Sequence, residues 1–327
     1  MKGTVFSGMR PTGRLHIGHL SVLKNWVAMQ QSYQCYFGVV DWHALTTSFD
    51  ESEIIRNNVD EMVLDWLAVG LDPEISPLFV QSMVKEHAEL HLLLSMITPI
   101  SWLERCPTYK DQLVQLGESG KDISMYGFLG YPVLMASDIL VYRADTIPVG
   151  KDQLPHLELT REIARRFNYL YQTELLPEPV AYLPKLPVLP GVDGRKMSKS
   201  YHNDISLTAT AEEIMSKVRM MVTDPKRIHK TDPGNPEVCT VYAYHSVFNE
   251  AEQDMIEADC RAGSIGCVAC KKRLAAKLDE ELAPIRERRE YLGQRPELVT
   301  GIVEDGAHRA RQAAQETMEL VRAAMKL

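Results

Sequence analysis

The first 82 residues hold three short apolar runs, TVFSG (residues 4–8), YFGVVD (36–41) and LFVQS (78–82), each separated from the next by a longer amphipathic stretch. Runs of this length suit strands buried on both faces, whereas residues 20–31 and the segment IIRNNVDEMVLDWLAVG, which ends at Gly70, carry the apolar spacing of helices. Strand and helix alternating at this pitch imply parallel pairing, because a parallel neighbour is reached only through a crossover. A second passage of the same kind runs from LMASDILVY through a short strand, TIPVG, into a helix opening at Asp152 and Gln153. The expected class is α/β, with ligands at the carboxyl ends of the strands.

Beyond Leu176 the run PEPVAYLPKLPVLPGVDG (177–194) is rich in proline and glycine and reads as a linker or mobile loop. From residue 210 onward amphipathic helices follow with no convincing strand, so an all-helical C-terminal domain is expected. A chain of 327 residues, 45% hydrophobic and 24% charged, is long enough for two cores. The division expected is residues 1–200 and 201–327. No apolar run of about 18 residues is present to span a bilayer, and MKGTVFSGMRP does not lead into a secretory leader, so the expected compartment is the cytosol. The net charge of −8 argues against a bulk polyanion-binding surface while leaving room for a local basic patch.

Two motifs carry chemistry. PTGRLHIGHL follows the opening strand and leads into a helix. Gly13 permits a tight turn, and Gly18 lets the backbone approach a ligand at a helix start, where free amides favour anions. His16 and His19 can then donate to a phosphate; alone, they could equally be capping or buried, satisfied residues. GRKMSKS (194–200) lies at the end of the Pro/Gly-rich run and places Lys196 and Lys199 where they can neutralise a polyphosphate leaving group, or form a solvated basic loop. In this order and on these elements, the pair resembles the HIGH and KMSKS signatures of class I aminoacyl-tRNA synthetases. A Rossmann-like nucleotide-binding parallel sheet is what that resemblance implies. Small-molecule adenylyltransferases share the HxGH turn but lack the KMSKS loop and the extra helical domain, and a synthetase-like RNA or tryptophan sensor is a further alternative.

In YPVLMASDIL (131–140), Met135 and Asp138 fall on one face of a predicted helix. A carboxylate in so apolar a run needs a donor partner: an indole N–H, a tyrosine hydroxyl, or a neighbour such as Arg143. The wider set FSGMRPTGRLHIGH, DWHALTT, YPVLMASDIL, PVGKDQLPHLELTREIARRFN and GRKMSKS is similar to bacterial tryptophanyl-tRNA synthetases. That resemblance implies ATP-dependent activation of tryptophan to an adenylate, with Mg2+ on the pyrophosphate, then transfer to tRNA(Trp). It further implies Asp138 on the indole nitrogen, Met135 and Phe6 packing the ring, and Tyr131 with Gln153 at the amino-acid head group. ATP would lie against Arg10, Pro11, Thr12, Gly18, His19, Gly150, Lys151, Asp152, Lys196, Met197, Ser198, Lys199 and Ser200. Lys151 departs from the acidic residue many members carry there. His43 reads as a pocket residue or a satisfied buried histidine. A homodimer bridged by tRNA is implied by the resemblance alone; no DNA or membrane partner is expected.

Six cysteines in a reducing compartment do not suggest a disulfide framework. Cys239, Cys260, Cys267 and Cys270 are separated by 20, 6 and 2 residues, with only one close pair. This shape leans toward a 4Fe-4S cluster, which one branch of the resembled family carries, with zinc or no metal as alternatives. Lys271, Lys272 and Arg273 follow directly and suit either RNA phosphates or a solvated helix face.

Overall fold

The computed structural model describes residues 1–106, 124–183 and 189–327. Five parallel strands form one sheet: β1 (Thr4–Met9), β2 (Gln34–Val39), β3 (Leu78–Val80), β4 (Thr146–Pro148) and β5 (Val180–Tyr182), in the spatial order β3-β2-β1-β4-β5. β1 aligns Thr4 with Gln34 and Met9 with Val39 of β2, and meets β4 at Val5 opposite Thr146. The chain thus winds outward through β1, β2 and β3, then returns to the other side of β1. The order reverses between β1 and β4, and the crevice at their carboxyl ends is where an open sheet of this kind takes ligands.

The three N-terminal strands are nearly continuous apolar runs because both faces are covered; Val5, Phe37, Val39, Leu78 and Phe79 are fully buried. The helix Ile17–Met29 sits on one face with Trp26 stacked on Phe37 at 4.7 Å and edge-on to Trp66 at 5.2 Å. Trp66 belongs to the helix Ser52–Val69, which ends, as read from the sequence, at a left-handed Gly70 (φ 116°). The first helix starts three residues earlier than its apolar spacing suggests, since His16 caps it. The Pro/Gly-rich run also departs from expectation. It contains β5, whose Val180 and Tyr182 are exposed, so the burial pattern that marks the inner strands is absent at this edge. Residues 184–188 of that run lie outside the described residues.

C-terminal to residue 210 the described residues form only helices: Ala211–Met220, Thr240–Phe248, Gln253–Ala262, Cys267–Gly293 and Pro296–Met325, with short 3-10 turns between. The first is started by a capping box in which Thr210 and Glu213 exchange hydrogen bonds. The long helix Cys267–Gly293 packs on the helix Ser52–Val69, and Leu274, Leu278 and Leu282 join the same apolar cluster as Val5 and Leu20. The last helix returns to the sheet edge. A methyl group on Gly306 would stand 2.1 Å from the Leu78 carbonyl, so glycine is what lets this helix lie directly on β3. No helix among the described residues is long and apolar enough to cross a membrane.

Candidate active site

The turn between β1 and its helix is held in place from below. The Leu15 amide donates to Asp65 Oδ2 at 2.7 Å, and Arg289 Nε donates to Asp65 Oδ1 at 2.6 Å. Asp65 is fully buried, and burial raises its pKa against the opposing pull of the Leu15 amide and Arg289. On the other side, Ile17 donates to the Ile205 carbonyl and Leu207 to the Leu15 carbonyl, which ties the turn to the segment after the second motif.

Within the turn both imidazoles are committed through one nitrogen. Gly18 N–H donates to His16 Nδ1 at 3.2 Å, and His16 N–H donates to His19 Nδ1 at 3.2 Å. An acceptor nitrogen carries no proton, so each neutral ring bears its hydrogen on Nε2. Burial and the nearby Lys199 charge lower the His16 pKa to about 4; burial, with His16 and Lys199, lowers His19 to about 3. The two rings lie 3.8 Å apart, which a pair of imidazolium ions would not tolerate. The result is a pair of neutral Nε2–H donors beside an ammonium.

The second motif closes over the first. Lys199 Nζ donates to the Thr12 carbonyl at 2.8 Å, and a methyl group on Gly13 (φ 95°) would stand 3.2 Å from that nitrogen. Gly18 lies under Met197, whose Sδ would be 3.2 Å from an added Cβ. Lys196 is exposed, and Met197 is buried. The loop is pinned by Asn203, a buried residue: Oδ1 accepts from Ser198 N–H at 2.8 Å, and Nδ2 donates to Asp193 Oδ1 at 2.8 Å and to the Lys196 carbonyl at 3.1 Å. Sequence reading passed over Asn203, because an asparagine after a basic loop carries no local signal. Ser200 lies in the short turn Lys199–Tyr201, and its side chain is outside the described set.

A second group of side chains gathers around the helix Tyr131–Leu140. Asp138, buried, accepts from Gln81 Nε2 at 2.7 Å and pairs with His87 Nδ1 at 2.7 Å through Oδ1; its Oδ2 pairs with His43 Nε2 at 2.9 Å. Burial opposes the charge, but His87 and His43 outweigh it and hold the carboxyl down to about 2. Arg143, weighed as a partner from the sequence, is not among the groups bonded to it. His43 is buried, but its Nδ1 has no hydrogen-bond partner among the described residues, so it is not the satisfied buried histidine of one reading, and its ring stands edge-on to Tyr131 at 4.5 Å. Phe6 is buried and stacked on Tyr142 at 5.7 Å, and Met135 is half-buried beside this cluster. Burial raises the Tyr131 pKa, with the Arg10 charge opposing and that of Asp152 reinforcing, so residues at the ends of β1 and β4 converge on this ring. Gly150, Lys151 and Asp152 are exposed, and Gln153 Nε2 donates to Asp152 Oδ2 at 2.7 Å. Arg10, Pro11 and Thr12 line a cavity of about 310 Å³ with Thr47, Ser48 and Asn58.

The four C-terminal cysteines overturn an expectation. They lie near enough for charge on one to bear on the others, and burial raises the Cys260 thiol and pushes Cys270 up to about 12. Two of the sulfurs, however, turn to separate partners: Cys260 Sγ to Arg227 Nη1 at 3.8 Å and Cys270 Sγ to His245 Nε2 at 3.5 Å. Among the described residues no group of three or more His, Cys, Asp or Glu side chains could hold a metal ion. A 4Fe-4S cluster or a zinc on Cys239, Cys260, Cys267 and Cys270 is therefore not supported, nor is membership of a cluster-bearing branch. Of the basic trio that follows, Lys271 Nζ donates to the Arg219 and Met221 carbonyls at 2.7 Å, closing the end of the helix Ala211–Met220, and Arg273 pairs with Glu252.

Residues 2–283 match the family described as tRNA synthetases class I (W and Y). The tryptophan–tRNA ligase of Thermotoga maritima is 51% identical over 327 residues, covering 99% of both chains. That of Deinococcus radiodurans is 42% identical, with 97% of each covered. Among solved structures, tryptophanyl-tRNA synthetase from Campylobacter jejuni complexed with ADP and tryptophan matches with a TM-score of 0.87 at 32% identity, over 99% of this chain and 100% of that one. With its reversing parallel sheet, interlocked HIGH and KMSKS segments and near full-length likeness to these proteins, the chain belongs to the class I tRNA synthetases of the tryptophan and tyrosine family.

Proposed function

We propose that this chain is a tryptophan–tRNA ligase, which activates L-tryptophan with ATP and transfers it to tRNA(Trp). The observation that carries this reading is the junction of the two motifs at the β1–β4 crevice, where Lys199 reaches the Thr12 carbonyl over Gly13 and Met197 covers Gly18 beside the two histidines. In the first step the tryptophan carboxylate attacks the α-phosphorus and pyrophosphate leaves; no protein nucleophile is consumed. Two neutral Nε2–H donors at His16 and His19 suit phosphate oxygens, and their protons are not lost on approach to neutral pH because these rings carry no titrating charge there. Lys196 and Lys199 would meet the charge that develops on the leaving pyrophosphate. The backbone of Arg10, Pro11 and Thr12, with Gly18 and Gly150 to Asp152, would frame the nucleotide, and Met197 to Ser200 would close over it.

At the other end, an ionised carboxylate offers about four lone-pair positions, and three donors occupy those of Asp138. One position on Oδ2 remains for a donor-only group such as the indole N–H. Phe6 and Met135 would pack the ring, and Tyr131 with Gln153 would orient the head group. The phenol of tyrosine is a donor too, so the preference for tryptophan leans on the relatives' identity rather than on this carboxylate. We further infer a catalytic unit of residues 1–200, an anticodon-reading helical unit of residues 201–327, a homodimer and a cytoplasmic location. Tryptophan-dependent exchange of pyrophosphate into ATP, followed by charging of tRNA(Trp), tests the reading. Exchange supported better by tyrosine would overturn the substrate, and exchange without charging would leave a sensor.

A further inference from the structure

We propose that His87 and Tyr142 are positioning residues for tryptophan selection, forming a buried relay that aims the substrate-facing carboxylate of Asp138 from the far end of the sheet. The proposal rests on the reading that Asp138 meets the indole nitrogen. His87 Nδ1 lies 2.7 Å from Asp138 Oδ1, and His87 Nε2 lies 2.8 Å from the Tyr142 hydroxyl. Asp138, His87 and Tyr142 are all buried, at 1%, 0% and 5% exposure, so no water competes for these bonds. An ionised carboxylate only accepts, hence Nδ1 of His87 must carry the ring proton. Nε2 is then an acceptor, and the Tyr142 hydroxyl is the donor that holds it so. Burial raises the Tyr142 pKa well above the ordinary value, with Asp138, Tyr36 and Glu86 reinforcing, which keeps the donor protonated.

The hydroxyl is itself fixed, because the Tyr142 ring stacks on Tyr36 at 4.4 Å and on Phe6 at 5.7 Å. Tyr142 also lines a cavity of about 610 Å³ with Thr4, Arg143 and Asp145, which flank the amino ends of β1 and β4. The relay therefore spans the sheet from its basal end to the substrate side. Without the Tyr142 donor, His87 Nε2 is a buried acceptor left unpaired and the ring is held at one end only, so its Nδ1–H can swing out of line with Oδ1. Oδ1 then keeps Gln81 as its one well-aimed donor. Other titratable groups facing Asp138 are His43 from the helix Asp41–Leu45, His91 from the helix Glu86–Ser95, and Tyr131 from its own helix. None of them bonds Nε2 of His87, so none replaces the lost donor.

The test is Tyr142→Phe in the full-length protein, with pyrophosphate exchange supported by tryptophan and by its benzothiophene isostere, which lacks the indole N–H, and thermal unfolding alongside. The expected result is a rise of about tenfold in the KM for tryptophan, the loss of one buried hydrogen bond, with the KM for ATP unchanged. The preference for tryptophan over that isostere, read as the ratio of their kcat/KM values, should fall by a similar factor, since a misaimed carboxylate no longer favours the N–H donor. A lowered melting temperature with an unmoved preference would make Tyr142 merely structural and overturn the relay. Asp138→Asn separates the two readings. If it leaves the tryptophan KM unchanged, the indole assignment falls and takes the relay with it; if it raises that KM while Tyr142→Phe leaves the preference over the isostere in place, only the relay falls.

Discussion

Replacing Asn203 by alanine isolates the pin of the second motif. The amide makes three hydrogen bonds, to Ser198 N–H, the Lys196 carbonyl and Asp193 Oδ1. The last faces solvent and is left out of the sum. Two bonds from a buried side chain, at about 1 kcal/mol each, give about 2 kcal/mol. Asn203 also rests directly on Gly191, where an added Cβ would stand 2.3 Å from Nδ2, so the truncated side chain leaves a gap beside the hairpin that carries Lys196. At 1.4 kcal/mol per factor of ten, the ratio of ordered to disordered loop falls by about 30-fold. Closure of this loop precedes chemistry in the proposed mechanism, so tryptophan-dependent pyrophosphate exchange should slow by up to that factor, with the KM for tryptophan little changed. Asn203→Asp, which keeps an acceptor for Ser198 but sets a second carboxylate against Asp193, should not rescue it. An exchange rate within threefold of the parent would refute the reasoning, because it would mean that the loop is ordered by something other than this amide.

His16 and His19 should appear in nitrogen NMR as neutral Nε2–H tautomers from pH 5 upward; a ring protonating near its ordinary value would contradict the bonds to Gly18 and His16 N–H. Their folded pKa values, about 4 and about 3, lie below the unfolded 6.5. Below pH 6.5 the unfolded chain therefore binds more protons, and stability should fall with pH until the folded values are passed, as acid unfolding curves of His16→Gln and His19→Gln against the parent would show. Asp138 behaves as a depressed acid: its contribution is present above pH 3.8 and lost as pH falls toward about 2, so the melting-temperature gap between the parent and Asp138→Asn should narrow across that window. Asp65→Ala breaks a buried pair but leaves Arg289 its bond to Glu61, so a loss of about 3 kcal/mol is expected in urea unfolding. A loss under 1 kcal/mol would show that the β1 turn does not depend on this anchor.

Much of the site is written in contiguous residues. The turn glycines, the capping histidine of HIGH, the capping box at Thr210 and Glu213, and the doubly buried strands each depend on neighbours a few positions away, so local pattern suffices to find them. The edge strand Val180–Tyr182 escaped, since its exposed side chains lack the burial signature of the inner strands. The cysteines misled for a related reason: spacing along the chain counts donors but does not orient them, and the folded chain turns Cys260 and Cys270 to different partners. Asp138 marks the boundary most clearly. Its position on a helix and its need for a donor were legible, but its donors lie 95, 57 and 51 residues away, and Arg289 reaches Asp65 across 224. Sequence alone determines which backbone conformations and which chemical groups are available. Only tertiary packing decides which of those groups lose water together, and with water excluded their bonds set charge, tautomer and direction at the site.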